Sequence, residues 1–301
     1  MIYLLLCILF NTLLVFIFKL YHRFGVRTFQ AIVVNYVVCL FTGAAFAVED
    51  LRVLVQNLGE PWMLASWALG SLFIGSFYLV AVAAQKIGVA ATTVAMKISL
   101  VIPVLFSLLM LQNGLKQYTL LNYTGMVLAL VAVVLTSRRA NLEDAKEATK
   151  RAWVLPLVVF LAAGLGDVII NFTNDQLLQS HQAGAFTIST FLASAVIGVI
   201  VLLYSSFAQK VPFERKSLVA GVALGVPNYF SIFFLVQALF AFQNDGAFLY
   251  PVNNIGIILL GTLGGILFFG ERLSRVNWLG MALAIVALLL MSYQEIRNAL
   301  F

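Results

Sequence analysis

The chain is written as long apolar runs separated by short polar breaks. A membrane-spanning helix needs about 20 mainly apolar residues. Ten segments have that character, near 2–20, 29–47, 62–84, 89–111, 119–136, 153–172, 184–206, 217–239, 246–268 and 276–293. Barrel strands would alternate polar and apolar residues over about 10 positions, whereas these runs are longer and evenly apolar. Lipid offers no partner to a free backbone N–H or C=O, so helices are the expected element. The pattern predicts an all-α polytopic membrane protein of about ten transmembrane helices.

The runs also repeat. Asn122-Tyr-Thr-Gly125-Met126-Val-Leu128-Ala129 matches Asn277-Trp-Leu-Gly280-Met281-Ala-Leu283-Ala284, each pair 155 positions apart. The same offset relates Ala68-Leu69-Gly70 to Ala223-Leu224-Gly225, and Ser76 to Ser231. Composition bias can align Leu, Ala and Val, but it does not readily align an asparagine and two glycines. The longest polar stretch, Arg138–Arg151, lies near the middle of the chain. The expected organisation is a five-helix repeat over 1–137, a charged linker over 138–152 and a second repeat over 153–301. An odd number of helices per repeat makes the second copy enter the membrane from the opposite side. Inverted repeats of this kind place a transport site near the midplane, between the halves.

Composition narrows the function classes. The 301 residues are 62% hydrophobic and 10% charged, with a mean hydropathy of +1.03. Soluble domains carry about 25% charged residues, so a soluble enzyme is excluded. The net charge of +6 does not indicate nucleic acid, because most basic residues stand in loops. Breaks after the odd-numbered segments hold Lys19, Arg23, Arg27, Lys210, Arg215, Lys216, Arg272, Arg275 and the basic linker, while breaks after even ones hold Arg52 and Lys116. By the positive-inside rule the odd breaks are cytoplasmic and both termini outside. Residues 1–20 have no basic start and no small-residue cleavage site, so the expectation is a first helix rather than a cleaved signal. Cys7 and Cys39 lie in separate apolar runs without metal or redox spacing and read as small apolar fillers. The expected location is the cell membrane, cytoplasmic in a bacterium.

The end of segment nine and the start of segment ten read Gly261-TLGGILFF-Gly270-Glu271-Arg272-Leu-SRVNWL-Gly280. The first half has a matching frame from Gly88 through Pro103 and Lys116 to Gly125. This resembles the C-terminal signature of EamA-type transporters of the drug/metabolite transporter superfamily, and the likeness covers nearly the whole chain. It departs from the family pattern at Lys116, where the repeat would place a glutamate, and at Ile258, where the family usually has proline. The resemblance implies a ten-helix transporter without cofactor, and termini in the cytoplasm, opposite to the charge pattern.

Polar residues in mid-membrane are the candidate chemistry. A charge at a helix centre costs about 2.5 to 3.5 kcal/mol on insertion scales. Lys97, over a turn from either end of segment four, would hold an anionic group or pair with a carboxylate. Asp167 would be its counter-ion or a proton carrier. Asn171 follows Asp167 by four and shares its face, and Asn11 lies at comparable depth in segment one. Asn253 and Asn254 follow Pro251, which is expected to open the helix locally. Asn228 follows Pro227, and Asn35 reads as packing glue between helices. Glu271, at a loop edge beside Arg272 and Arg275, reads as a structural ion pair or a charge at a helix N-terminus. No metal, triad or phosphate-loop motif is found, and the reading is not an enzyme.

The expectation is a secondary transporter, exporter or exchanger, of a small polar metabolite. Lys97, Asn253, Asn254, Asn228, Asp167, Asn171 and Asn11 would bind an anionic or zwitterionic substrate in a central cavity. A lipid-carrier flippase of the same fold is the alternative, and after it a membrane-embedded enzyme.

Overall fold

The computed structural model describes residues 2–46, 48–106, 119–136, 154–241, 246–291, 293 and 297. Helices occupy all ten apolar segments. In chain order they are α1 (Ile2–Arg23), α2 (Thr28–Phe46), α3 (Val48–Gln56), α4 (Trp62–Lys86), α5 (Val89–Ile98), α6 (Val101–Phe106), α7 (Leu120–Thr136), α8 (Val154–Gln176), α9 (Ala183–Ala208), α10 (Arg215–Ala241), α11 (Gly246–Phe269) and α12 (Arg275–Met291). Six of them, α1, α2, α4, α9, α10 and α11, are long and apolar enough to cross a membrane by length and composition, and α5, α7, α8 and α12 supply shorter apolar stretches. Large apolar side chains point outward, among them Leu64 at 80%, Leu120 at 82% and Phe207 at 82% exposure. In water each would forfeit about 1.5–3 kcal/mol of burial; against lipid tails that loss vanishes. The chain is a multi-pass membrane protein.

Two elements depart from the expected segments. The polar break after α2 contains α3, which packs Leu54 against Trp62, Leu69 and Phe186. Leu51 and Leu54 at helical spacing are its signal, surrounded by Glu49, Asp50 and Arg52. Segment four is not continuous: α5 ends at Ile98 and α6 begins at Val101. Pro103 has no N–H to reach the carbonyl four residues back, and Ser99 O is served instead by Ile102 N at 2.8 Å. The reverse holds for Pro251. It is the sixth residue of α11, where its missing N–H removes a single intrahelical bond, and α11 runs unbroken across it, so the expected opening there is corrected. Pro227 likewise sits within a continuous α10.

Helices approach through small residues. Gly225 of α10 lies so close to α2 that an added Cβ would stand 2.7 Å from Val38 Cβ and 2.8 Å from Asn35 O. Gly70 of α4 lies equally close to α9, 2.6 Å from Ala193 Cβ and 2.7 Å from Thr190 O. Ser194 Oγ reinforces that contact by donating to Gly70 O at 2.9 Å. Overpacking a tight contact costs about 1–3 kcal/mol. Gly225→Val is therefore expected to lower the melting temperature by several degrees, while Gly75→Val, where a Cβ meets nothing within 4 Å, leaves it nearly unchanged. Equal melting of the two variants would remove close approach as the reason for glycine at 225.

The last helix of each expected half holds the other. Asn122 Oδ1 accepts from the Thr119 backbone and hydroxyl at 2.7 and 2.8 Å, and its amide donates to Met291 O at 2.7 Å. Asn277 Oδ1 accepts from the Ser274 backbone and hydroxyl at 3.0 and 2.7 Å, and its amide donates to Leu135 O at 3.3 Å. Each asparagine thus satisfies an orphan donor at the start of its own helix and an orphan carbonyl at the end of the neighbour. Asn122→Ala is expected to cost about 1–2 kcal/mol, read as a lowered melting temperature. A variant as stable as the wild type would show that water replaces these bonds.

Candidate functional site

The break between α5 and α6 positions the central polar group. Lys97 is the penultimate residue of α5, and Ser99, at the break, turns its hydroxyl back to Met96 O at 2.6 Å. The same hydroxyl reaches Asp167 Oδ2 of α8 at 3.5 Å. Asp167 and Cys7 are the charged or ionisable groups that act electrostatically on Lys97. Asn254 of α11 donates its amide to Lys97 O at 3.3 Å, at the end of α5, where a carbonyl lacks an intrahelical partner. Asn11 of α1 donates to Cys7 O at 3.0 Å and to Cys7 Sγ at 3.5 Å. Tyr250, one residue before Pro251, lies within electrostatic reach of Asp167 and Cys7.

Lys97 and Asp167 are enclosed deep within the protein, yet both keep accessible surface. Asn11 and Asn254 are likewise only partly buried. The arrangement is a cation and a carboxylate approached from α5 and α8, edged by amides from α1 and α11 and by a phenol. It can bind a solute with separated positive and negative groups.

One sequence candidate falls elsewhere. Asn228 is buried at the α2–α10 contact, where its amide donates to Asn35 Oδ1 at 3.2 Å and to Cys39 Sγ at 3.4 Å. Its partners are packing partners, and Asn35 shares that role. Asn253 is buried, and its Oδ1 has no partner among the described residues. Asn171 lies one turn beyond Asp167 in α8, but its side chain is outside the described residues, as are Lys116 and the 138–152 linker.

Glu271 joins distant parts of the chain. Its carboxylate accepts from Val89 N at 2.7 Å and Ala90 N at 3.3 Å, capping α5 at the end opposite Lys97. Lys19 of α1 pairs with it at 3.6 Å. Gly88, with φ of +97°, carries the chain into α5 beneath this carboxylate, and a Cβ there would stand 2.7 Å from Glu271 Oε1. The charge at a helix N-terminus expected from sequence is present, and its cation is Lys19 rather than the neighbouring arginines.

Sequence reading missed Tyr250, Ser99 and the partnership of Cys7 with Asn11. Ser99 had a local signal, standing four before Pro103; Tyr250 had only its place beside Pro251.

No family model matches the chain. An uncharacterised protein of Haemophilus influenzae is 28% identical over 273 residues, covering 88% of this chain and 89% of that one. A solved crystal structure aligns with a TM-score of 0.56 over 96% of this chain and 98% of its own, at 16% identity. At that identity the likeness is one of fold, extending over essentially the full length of both chains.

Proposed function

We propose that the chain is a secondary transporter of a small polar metabolite, built as two inverted five-helix repeats of the EamA type, with its substrate site at Lys97 and Asp167. The observation that carries this reading is one cation and one carboxylate, from α5 and α8, within electrostatic reach of each other beside a break in a membrane helix. Discontinuous helices near the midplane recur at transporter sites because freed backbone groups and helix ends can face the solute. The repeat reading draws support from packing. Exchanging the halves turns the α2–α10 contact into α4–α9, α1–α10 into α4–α8, and α1–α11 into α5–α8, all of which occur. Gly70 and Gly225, and Asn122 and Asn277, make like contacts at the 155-residue offset.

On this reading Lys97 takes the carboxylate or phosphate of the solute and Asp167 a cationic group or a proton, with amides of Asn11 and Asn254 completing its shell. A zwitterion satisfies both charges at once. The two halves rock about the site to expose it alternately. The test is a thermal-shift screen of the purified protein against amino acids, nucleotide sugars, sugar phosphates and cationic drugs. A ligand at 100 times its dissociation constant adds about 2.7 kcal/mol of stability. Stabilisation by an anionic or zwitterionic solute is expected; stabilisation by cationic drugs alone would rule out Lys97 as the anchoring group.

If Asp167 carries the coupled proton, Asp167→Asn abolishes the pH dependence of uptake into proteoliposomes while leaving exchange of solute for solute. A pH profile that persists in the variant assigns the proton elsewhere.

A further inference from the structure

A second polar site lies outside the central group, at the end of the molecule where α1, α4 and α11 finish. It is a cavity of about 200 Å³ lined by Lys19, Leu20, His22, Arg23, Gln85 and Phe269. Lys19, His22 and Arg23 stand at i, i+3 and i+4, so the three side chains share one face of the last turns of α1. Lys19 is partly neutralised by Glu271 at 3.6 Å. Among the described residues His22 and Arg23 have no ion-pair partner. Basic residues at a helix C-terminus offset its dipole wherever they point. Here they also line a concave site.

The surroundings of the cavity are apolar and outward-facing. Phe24, next to Arg23, is 61% exposed, and Leu267 and Phe268, just before Phe269, are 67% and 69% exposed. Phe16, one turn before Leu20, packs edge-on against Phe268 and Phe269 at 6.0 and 5.6 Å. A cationic hollow therefore sits at the end of a greasy strip that runs down α1 and α11. A soluble anion would use the hollow and ignore the strip. Basic pockets between helices at a membrane face attract anionic headgroups, each cation contributing on the order of a fivefold gain in binding.

We propose that this cavity binds the phosphate headgroup of an anionic phospholipid, whose acyl chains lie along Phe16, Leu267 and Phe268. Arg23 and His22 hold the phosphate on the side away from Glu271. The assignment is independent of whether the central group transports a solute.

The experiment is native mass spectrometry of the full-length protein released from detergent micelles doped with phosphatidylglycerol or phosphatidylcholine. Phosphatidylglycerol is expected to stay bound in preference. His22→Gln with Arg23→Gln, both exposed positions, is expected to weaken its retention roughly fivefold, the share of the arginine. Lys210→Gln with Lys216→Gln, on another basic loop, leaves it unchanged. Equal retention by the first pair of substitutions, or no preference over phosphatidylcholine, overturns the proposal. Glycerophosphoglycerol carries the same phosphodiester charge without chains; competition at the strength of the lipid would assign the site to a soluble anion and overturn the lipid assignment. Should the double variant fail to fold, retention by the wild type is measured against salt. Retention that falls as salt rises supports a headgroup held by charge, and retention indifferent to salt rejects it.

Discussion

Lys97→Met is expected to abolish ligand-induced stabilisation and to lower the melting temperature of the ligand-free protein as well. The two effects have separate causes. Methionine keeps most of the volume but removes the ammonium that would hold the anionic group of the solute. It also takes away the cation that acts on the enclosed Asp167 carboxylate, and an enclosed charge without compensation destabilises the fold. Lys97→Met combined with Asp167→Asn removes both charges together. That pair is expected to recover most of the melting temperature and none of the ligand response, since neutral partners of similar shape leave no uncompensated charge. The single and double variants, melted with and without the best ligand of the screen, separate the roles. A single variant that melts like the wild type would show that the two charges do not compensate one another. A double variant that still responds to ligand would move the site away from this pair.

Glu271→Ala is expected to be the most damaging change outside that group, lowering stability by about 2–4 kcal/mol. Charged hydrogen bonds contribute about 1.5–3 kcal/mol each, and the carboxylate accepts two at the start of α5. Its ion pair with Lys19 is partly shielded, with side chains 24% and 12% exposed. Glu271→Gln keeps one acceptor oxygen and loses the charge, so it should fall between alanine and wild type. The readout is the melting temperature in detergent, where a loss of this size shifts the midpoint by roughly 5–10 °C for a chain of this length. Lys19→Gln should cost much less, because it leaves the cap intact. If Lys19→Gln proves as harmful as Glu271→Ala, the ion pair and not the cap holds this corner.

The helical framework was legible in the apolar runs because lipid makes a uniform demand on every spanning segment. Among the described residues, the ten runs lie within a few positions of the helices that occupy them. What escaped was local and depended on backbone bonds. Pro103 and Pro251 look alike in a sequence, yet only the first accompanies a break, while the helix around Pro251 runs on with one bond missing. The short α3 escaped because its apolar face is only two or three residues wide. Among the candidate residues, charge in an apolar run was a good guide. Lys97 and Asp167, from separate segments, come together, and Asn11 and Asn254 border them. Asparagine was a poorer guide, because an amide serves packing as well as recognition: Asn228 meets Asn35, while Asn254 meets the end of α5. Tyr250 and Ser99 escaped because a phenol or a hydroxyl in a membrane segment is cheap enough to pass unnoticed.

The reciprocal asparagine contact between α7 and α12 has the form of an isologous interface, in which one patch meets its own copy across a two-fold axis. Two identical chains joined in this way would have to be equal at every position. A site on their axis would then carry two lysines and two aspartates, or none. Joined in one chain, the copies are free to differ. The position 155 after Lys97 is Val252, and the position 155 before Asp167 is Thr12. On the proposed repeat, a single cation would then stand opposite a single carboxylate, giving the proposed site a head and a tail. A solute bound there would have one preferred orientation, which no symmetric pair of half-length chains could impose.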